Sequence, residues 1–290
     1  MSVLVLCERM KSMKTILITG GTSGIGKGIA MHYLKNGDRV IVVGSSNAKG
    51  EAFYEESRKL GAQERAVYLK ADLSLVKENR RIIEEVRSKF SSLDALILCA
   101  QYQKKRTTAI KTVEGFEFSF GLYYLSRYIL SYGLKDCLEN ASQPVIINVC
   151  APGMSGAVNW DDLQSDKNYS SIKAIMHGSR LNDLLGVSFA ENNNGTKIKY
   201  ILFNPGAVQT SGAMEAFEQP LIRAATQMLY KVIGKPVEKA IEPIIKLLEN
   251  PPSVPLSAFM QAKEVSLTMG TFNKDNAKKL YIITQGLIQN

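Results

Sequence analysis

No stretch of this 290-residue chain approaches the roughly 18–20 consecutive apolar residues that a membrane span requires, so no bilayer-crossing helix is expected. The apolar run over residues 1–6 is too short for a signal peptide, and no small-residue cleavage site follows it. Met10 and Met13 stand just ahead of the first predicted strand, so residues 1–13 read as a disordered tail or an upstream start. Cysteine is scarce. Cys7, Cys99, Cys137 and Cys150 fit neither a metal knuckle nor a disulfide scaffold. A reducing, cytoplasmic compartment is the simplest expectation. Only two histidines occur, His32 and His177, both on predicted helices without metal-like neighbours, so both read as structural and no metal site is expected. There is no internal repeat, low-complexity tract or linker. Residues 14–290 therefore read as one domain, and a 45% hydrophobic content is ample for its core.

The net charge of +9 raises the question of nucleic acid or an anionic surface. The cations are spread along the chain beside acids, as in Glu84-Glu85-Val86-Arg87-Ser88-Lys89, which favours a solvated surface and an anionic small molecule over nucleic acid. Lys104-Lys105-Arg106 is the one tight cluster. It is placed to attract an acidic substrate, although an exposed polar loop is the safer reading.

Apolar β-rich runs at 15–18, 39–43, 66–70, 95–98, 145–149 and 199–203 alternate with helical patterns near 25–36, 48–60, 75–90, 113–139 and 169–191. The run 254–259 offers a seventh strand. Near-continuous apolar strands separated by helices predict an α/β fold. It is a doubly wound, mostly parallel sheet covered by helices on both faces, with ligands at the carboxyl ends of the strands.

The most informative stretch is Thr19-Gly20-Gly21-Thr22-Ser23-Gly24-Ile25-Gly26. It lies where the first strand turns into the first helix. Gly20 permits the turn, and Gly24 and Gly26 let a pyrophosphate approach backbone N–H groups at the positive helix end. Strand, turn and helix in register predict dinucleotide binding through Gly20, Thr22, Ser23, Gly24, Ile25 and Gly26. The second strand ends in Gly44-Ser45-Ser46-Asn47, without the carboxylate that would bond the ribose of NAD and repel a 2′-phosphate. Ser45, Ser46 and Asn47 can donate hydrogen bonds, and Lys49 or Lys27 can add charge, so NADP is favoured over NAD. The alternative is that the serines only make a turn.

Three further motifs follow in order: Asp72-Leu73 after the third strand, Tyr169-Ser170-Ser171-Ile172-Lys173, and Asn204-Pro205-Gly206-Ala207-Val208-Gln209-Thr210. With the glycine turn they resemble the short-chain dehydrogenase/reductase family over nearly the whole chain from residue 14. Lys49-Gly50-Glu51-Ala52, Glu114-Gly115-Phe116-Glu117 and Asn276-Ala277-Lys278-Lys279-Leu280-Tyr281 resemble its retinol dehydrogenase and protochlorophyllide reductase-like branch. The resemblance implies a Rossmann-like fold. It also implies that Asp72 and Leu73 lie beside the adenine, that Cys99 and Ala100 line the cofactor, and that Pro205, Gly206, Val208 and Thr210 hold the nicotinamide amide. It gives Tyr169 and Lys173 the family's Tyr-x-x-x-Lys roles. Four apart on a predicted helix, they would share one face. The ammonium would lower the phenol's pKa for proton transfer while hydride moves, and would also hold the ribose.

Three positions depart from the family. Leu98-Cys99-Ala100-Gln101 stands for Asn-Asn-Ala-Gly, Tyr123 for the helix asparagine, and Ala151 for the catalytic serine. Ser155 is the candidate replacement donor. Cys150 is a weak donor and reads as packing. Trp160 suits substrate stacking and packing equally. The tyrosines at 123, 124, 128 and 132 fit either a homodimer face or a substrate wall.

The primary expectation is an NADP-dependent oxidoreductase moving hydride to or from a small-molecule carbonyl, alcohol or enone. The rival is a cofactor-binding relative with little catalysis, acting as sensor or partner subunit.

Overall fold

A computed structural model describes residues 12–101, 108–167, 169–214 and 220–289. Residues 1–11 and the Lys104-Lys105-Arg106 cluster lie outside the described residues. In chain order the elements are β1 (Thr15–Thr19), α1 (Gly24–Lys35), β2 (Arg39–Gly44), α2 (Asn47–Lys59), β3 (Ala66–Lys70), α3 (Val76–Lys89), β4 (Ala95–Leu98), α4 (Phe118–Phe120), α5 (Ser126–Gly133), α6 (Lys135–Glu139), β5 (Val145–Val149), α7 (Ser171–Asn192), β6 (Lys199–Asn204), α8 (Ser211–Met214), α9 (Pro220–Ile233), α10 (Val237–Glu249), β7 (Leu256–Met260), β8 (Lys263–Glu264) and α11 (Lys274–Gln289).

The sheet runs β3-β2-β1-β4-β5-β6-β7-β8, parallel except for β8 at the edge. This is the expected doubly wound α/β fold. Strand order reverses between β1 and β4, where Leu17 lies beside Ile41 on one side and Leu96 on the other. Neighbouring βα connections lead away from each other there, which opens a crevice at the strands' carboxyl ends. Alternation along β1 splits the core in two. Leu17 joins one apolar cluster, and Ile16 and Ile18 join the other across the sheet. The run predicted at 254–259 forms β7.

Two helices differ from expectation. The segment predicted as one helix over 113–139 starts at Phe118, where the Glu117 side chain accepts from the Phe120 N–H at 2.7 Å. It continues through a π-helical turn, Gly121–Leu125, into α5 and breaks before α6. Gly121 is pressed against β3–α3, since a Cβ there would sit 2.6 Å from the Ser74 carbonyl oxygen. The second difference concerns α7. Ser170 is extended (φ −145°, ψ 126°) and precedes the first helical residue, Ser171. Tyr169 therefore lies outside the helix, and the premise that it shares a helix face with Lys173 is corrected.

The C-terminal α11 packs along α7 and α5. The Tyr281 ring lies 5.9 Å from Tyr128 and 5.4 Å from Tyr132, and the Tyr124 hydroxyl meets Thr284 Oγ1 at 2.6 Å. Tyr124, Tyr128 and Tyr132 of the tyrosine-rich segment are thus covered by the chain's own last helix, while Tyr123 lines the groove described below.

Candidate functional site

A groove of about 480 Å³ opens where the strand order reverses. Its first wall is the β1–α1 turn, with Gly20, Ser23, Gly24, Ile25 and Gly26 lining it. Gly20 (φ +67°) and Gly24 (φ +53°) adopt backbone that side chains resist, and a Cβ on Gly26 would lie 2.6 Å from the Gly20 carbonyl oxygen. Ser23 caps α1 in an extended conformation without a side-chain hydrogen bond. The first-turn N–H groups are therefore left for an anion, as a pyrophosphate cradle requires. Cys99 and Ala100 line the groove from β4, and Pro205, Gly206, Val208 and Thr210 from the turn after β6. Gly206 N–H donates to Asn204 Oδ1 at 2.8 Å, which fixes that turn.

The remaining predicted cofactor residues sit at the same edge of the sheet but do not line this groove. Thr22 borders an adjoining cleft of about 340 Å³ with Lys27 and Lys49. Lys49 lines both cavities, whereas Lys27 is held by Glu56 at 2.6 Å. Ser45 and Asn47 are exposed, and Ser46 Oγ accepts from the Lys49 N–H at 3.4 Å as the cap of α2. Asp72 Oδ1 accepts from Ser74 N–H at 3.0 Å and Ser74 Oγ at 2.7 Å, closing the β3–α3 turn, while Leu73 is buried in the core.

At the far end the lining is Tyr123, Val149, Cys150, Ala151, Ile175 and Ser179. Ile175 and Ser179 are four apart on α7 and so share one face. They stand with Tyr123 and Ala151, the two positions matched by sequence to the family's asparagine and serine. Tyr169 and Lys173 do not line the groove. Tyr169 precedes α7 half-buried, and Lys173 is exposed. Ser155, the candidate replacement for the donor missing at Ala151, is exposed and is not among the residues that line the groove. Its loop is held elsewhere: Gly153 N–H donates to Asp183 Oδ2 at 3.2 Å, and Gly153 packs against Val265 and Met269.

Behind this end lies a buried polar network that the sequence reading missed. Asn148 Nδ2 donates to Asn182 Oδ1 at 2.8 Å and to the Tyr200 hydroxyl at 3.1 Å. Asn182 Nδ2 donates to the Tyr123 carbonyl at 2.8 Å, and the Tyr123 hydroxyl meets Ser179 Oγ at 3.1 Å. The Tyr123 carbonyl and hydroxyl are thus both occupied by protein groups. Burial pushes the Tyr123 phenol up to about 12, with nearby Arg127 opposing the rise, so it is a poor proton donor near neutrality. The only sequence signal for the network was polar side chains, Arg127, Arg180, Asn182 and Asp183, set in otherwise apolar helices.

His177 has the structural role expected of it. Its Nε2 accepts from the Asn159 N–H at 3.0 Å, and Nδ1 pairs with Ser165 Oγ at 3.1 Å. Burial lowers its pKa below 6.5, so the folded state holds it neutral. Its folded pKa lies below the unfolded value, so stability is lost as pH falls below about 6.5, where only the unfolded chain gains the proton. Limited proteolysis should show residues 158–166 becoming more sensitive as pH falls below about 6.5, and His177→Gln should flatten that dependence. Trp160 packs under Lys279, whose Nζ lies 4.2 Å from the ring centroid.

The model of the short chain dehydrogenase family matches residues 14–221. The chain belongs to that family. Mouse retinol dehydrogenase 12 is 25% identical over 95% of this chain and 86% of its own length. Two solved short-chain folds superpose well. A Shigella flexneri short chain dehydrogenase complexed with NADP has a TM-score of 0.65 at 13% identity, covering 86% of this chain and 97% of its own. A Thermococcus sibiricus alcohol dehydrogenase complexed with 5-hydroxy-NADP has 0.64 at 17%, covering 88% and 99%. Membership in the short chain dehydrogenase family supports a dehydrogenase or reductase of small molecules. These likenesses show the fold. Among the described residues no helix is long and apolar enough to cross a membrane.

Proposed function

We propose that this short chain dehydrogenase binds NADP(H) in the groove, and that the groove keeps the dinucleotide half of a family site without its acid–base half. One observation carries the reading. The glycine turn with open first-turn donors faces one end, while the other end presents Ala151, Ile175 and Ser179. Gly20, Ser23, Gly24, Ile25 and Gly26 would hold the pyrophosphate, and Pro205, Gly206, Val208 and Thr210 the nicotinamide amide. Lys49, with Ser45 and Ser46 nearby and no carboxylate at the end of β2, favours the 2′-phosphate. The bound cofactor would supply or accept hydride at the nicotinamide. Such a protein reports on, or lends, its dinucleotide in a reducing cytoplasmic setting, in keeping with free Cys99, Cys137 and Cys150.

Fluorescence titration should give NADPH at least about tenfold tighter than NADH, or 1.4 kcal/mol. Ser45→Asp should narrow that gap by repelling the 2′-phosphate. Equal affinities in the native protein would end the NADP assignment. An NADPH-oxidation screen over ketones, aldehydes and enones should find only slow turnover.

The second reading keeps a hydride-transfer enzyme with Tyr169 as acid and Lys173 as its activator. It is favoured by the half-buried Tyr169 lying two residues before α7, the helix that supplies Ile175 and Ser179 to the groove. It requires the segment before α7 to bring the phenol inward.

A further inference from the structure

Beneath the far end of the groove lie three buried charged side chains that the dinucleotide reading does not use. Arg127 is 1% exposed. Its Nη1 donates to Asn148 Oδ1 and to the Val149 carbonyl at 2.8 Å, and Nη2 donates to the Ala100 carbonyl at 3.2 Å. Its guanidinium carbon lies 4.3 Å from the Tyr123 ring centroid. Val149, Ala100 and Tyr123 all line the groove, so a single layer of protein separates this charge from the groove's interior. Arg180, 3% exposed, donates to the carbonyl of Ala151, another lining residue, at 2.7 Å. It pairs with fully buried Asp183 at 3.1 Å.

Among the described residues no carboxylate lies within ion-pair distance of Arg127. Two guanidiniums thus face one carboxylate, and the floor is positive even with Asp183 ionised. A guanidinium does not lose its proton in a protein, so titration cannot relieve this charge. Burial also leaves it weakly screened by salt. Carbonyl oxygens could offset a cationic ring in the groove, but those of Val149, Ala100 and Ala151 already accept from Arg127 and Arg180.

The nicotinamide ring carries a positive charge when oxidised and none when reduced. We propose that Arg127 makes this groove select the redox state of its dinucleotide, holding NADPH in preference to NADP⁺. The inference rests on the cofactor reading above and deepens it. The protein would fill with the reduced form and release the oxidised one, as suits a hydride donor or a sensor of the reduced pool. Arg127 would act on the ring's charge through Val149, Ala100 and Tyr123, as a specificity-determining residue that does not touch the reacting atoms.

Calorimetric titration of the full chain with NADPH and with NADP⁺ tests the proposal. The native protein should prefer NADPH by about 30-fold, a ratio expected from one weakly screened charge close to the ring. Arg127→Met should shrink the ratio below about threefold, chiefly through tighter NADP⁺ binding, and Arg127→Lys should keep most of it. If circular dichroism shows Arg127→Met unfolded, Ile175→Glu carries the test. That half-buried groove residue adds a negative charge without touching the network, and the ratio should again collapse. Equal affinity for both forms in the native protein overturns the proposal and leaves dinucleotide binding intact. An unchanged ratio in the folded charge variants overturns it as well. Failure of both forms to bind overturns the cofactor reading and this inference with it.

Discussion

A variant carrying Tyr123→Asn, Ala151→Ser, Ile175→Tyr and Ser179→Lys is expected to raise NADPH-dependent turnover of a simple aldehyde by about 10²-fold or more over the native protein. The estimate combines a positioned general acid with one restored carbonyl donor. Ile175 and Ser179 occupy the groove-facing positions of α7, so a phenol and an ammonium there would lie beside the far end of the cofactor site. Tyr123 must change too, because its hydroxyl reaches Ser179 Oγ and its ring would block a lysine stem. Asparagine frees that volume. Ala151→Ser adds a hydroxyl to the groove lining, which does not include the exposed Ser155. The companion measurement is Tyr169→Phe in the native background, for which no change in turnover or cofactor affinity is expected. A fall of about 10²-fold on an established substrate would instead restore Tyr169 as the acid and sink the cofactor-holding reading.

Ending the chain after Asn273, which removes α11, should lower the melting temperature by more than about 10 °C, and the truncated protein should aggregate. Ala277, Leu280 and Thr284 are buried, and Tyr281, Leu287 and Ile288 pack on the core. At roughly 1.5–3 kcal/mol for each large apolar side chain buried, several such contacts amount to much of the 5–15 kcal/mol that holds a typical domain. Truncation also strips the Tyr124 hydroxyl of its Thr284 partner and exposes Tyr128 and Tyr132. Differential scanning calorimetry decides the matter. A midpoint within about 3 °C of the full chain would mean that α11 is a passive appendage.

The glycine-lined end of the groove could be read in the sequence because its requirements are local. Gly20, Gly24 and Gly26 answer to backbone sterics within one turn, and Pro205-Gly206 to another. Each motif stands beside a strand whose apolar run marks its position. The far end could not be read this way. Tyr169 and Lys173 have the right residue types at the right spacing, but the spacing is meaningful only on a continuous helix, and Ser170 is extended. Ile175 and Ser179 carry no chemical signature that would single them out. In the sequence Arg127 is simply one cation in a tyrosine-rich segment. Its partners Asn148, Val149 and Ala100 come from two different strand ends that only the folded sheet brings together.

The sequence by itself determined the layered α/β fold, the strand–glycine–helix turn and the lack of a carboxylate at the end of β2. Periodicity and backbone sterics act over a few residues, and a linear pattern records them. Tertiary structure decided where α7 begins and therefore which of its residues face the groove. It also decided that α11 covers the tyrosine-rich face and that an uncompensated guanidinium lies under the groove floor. These depend on the packing of segments distant in sequence, and on the balance of burial and charge among them, which no local pattern encodes.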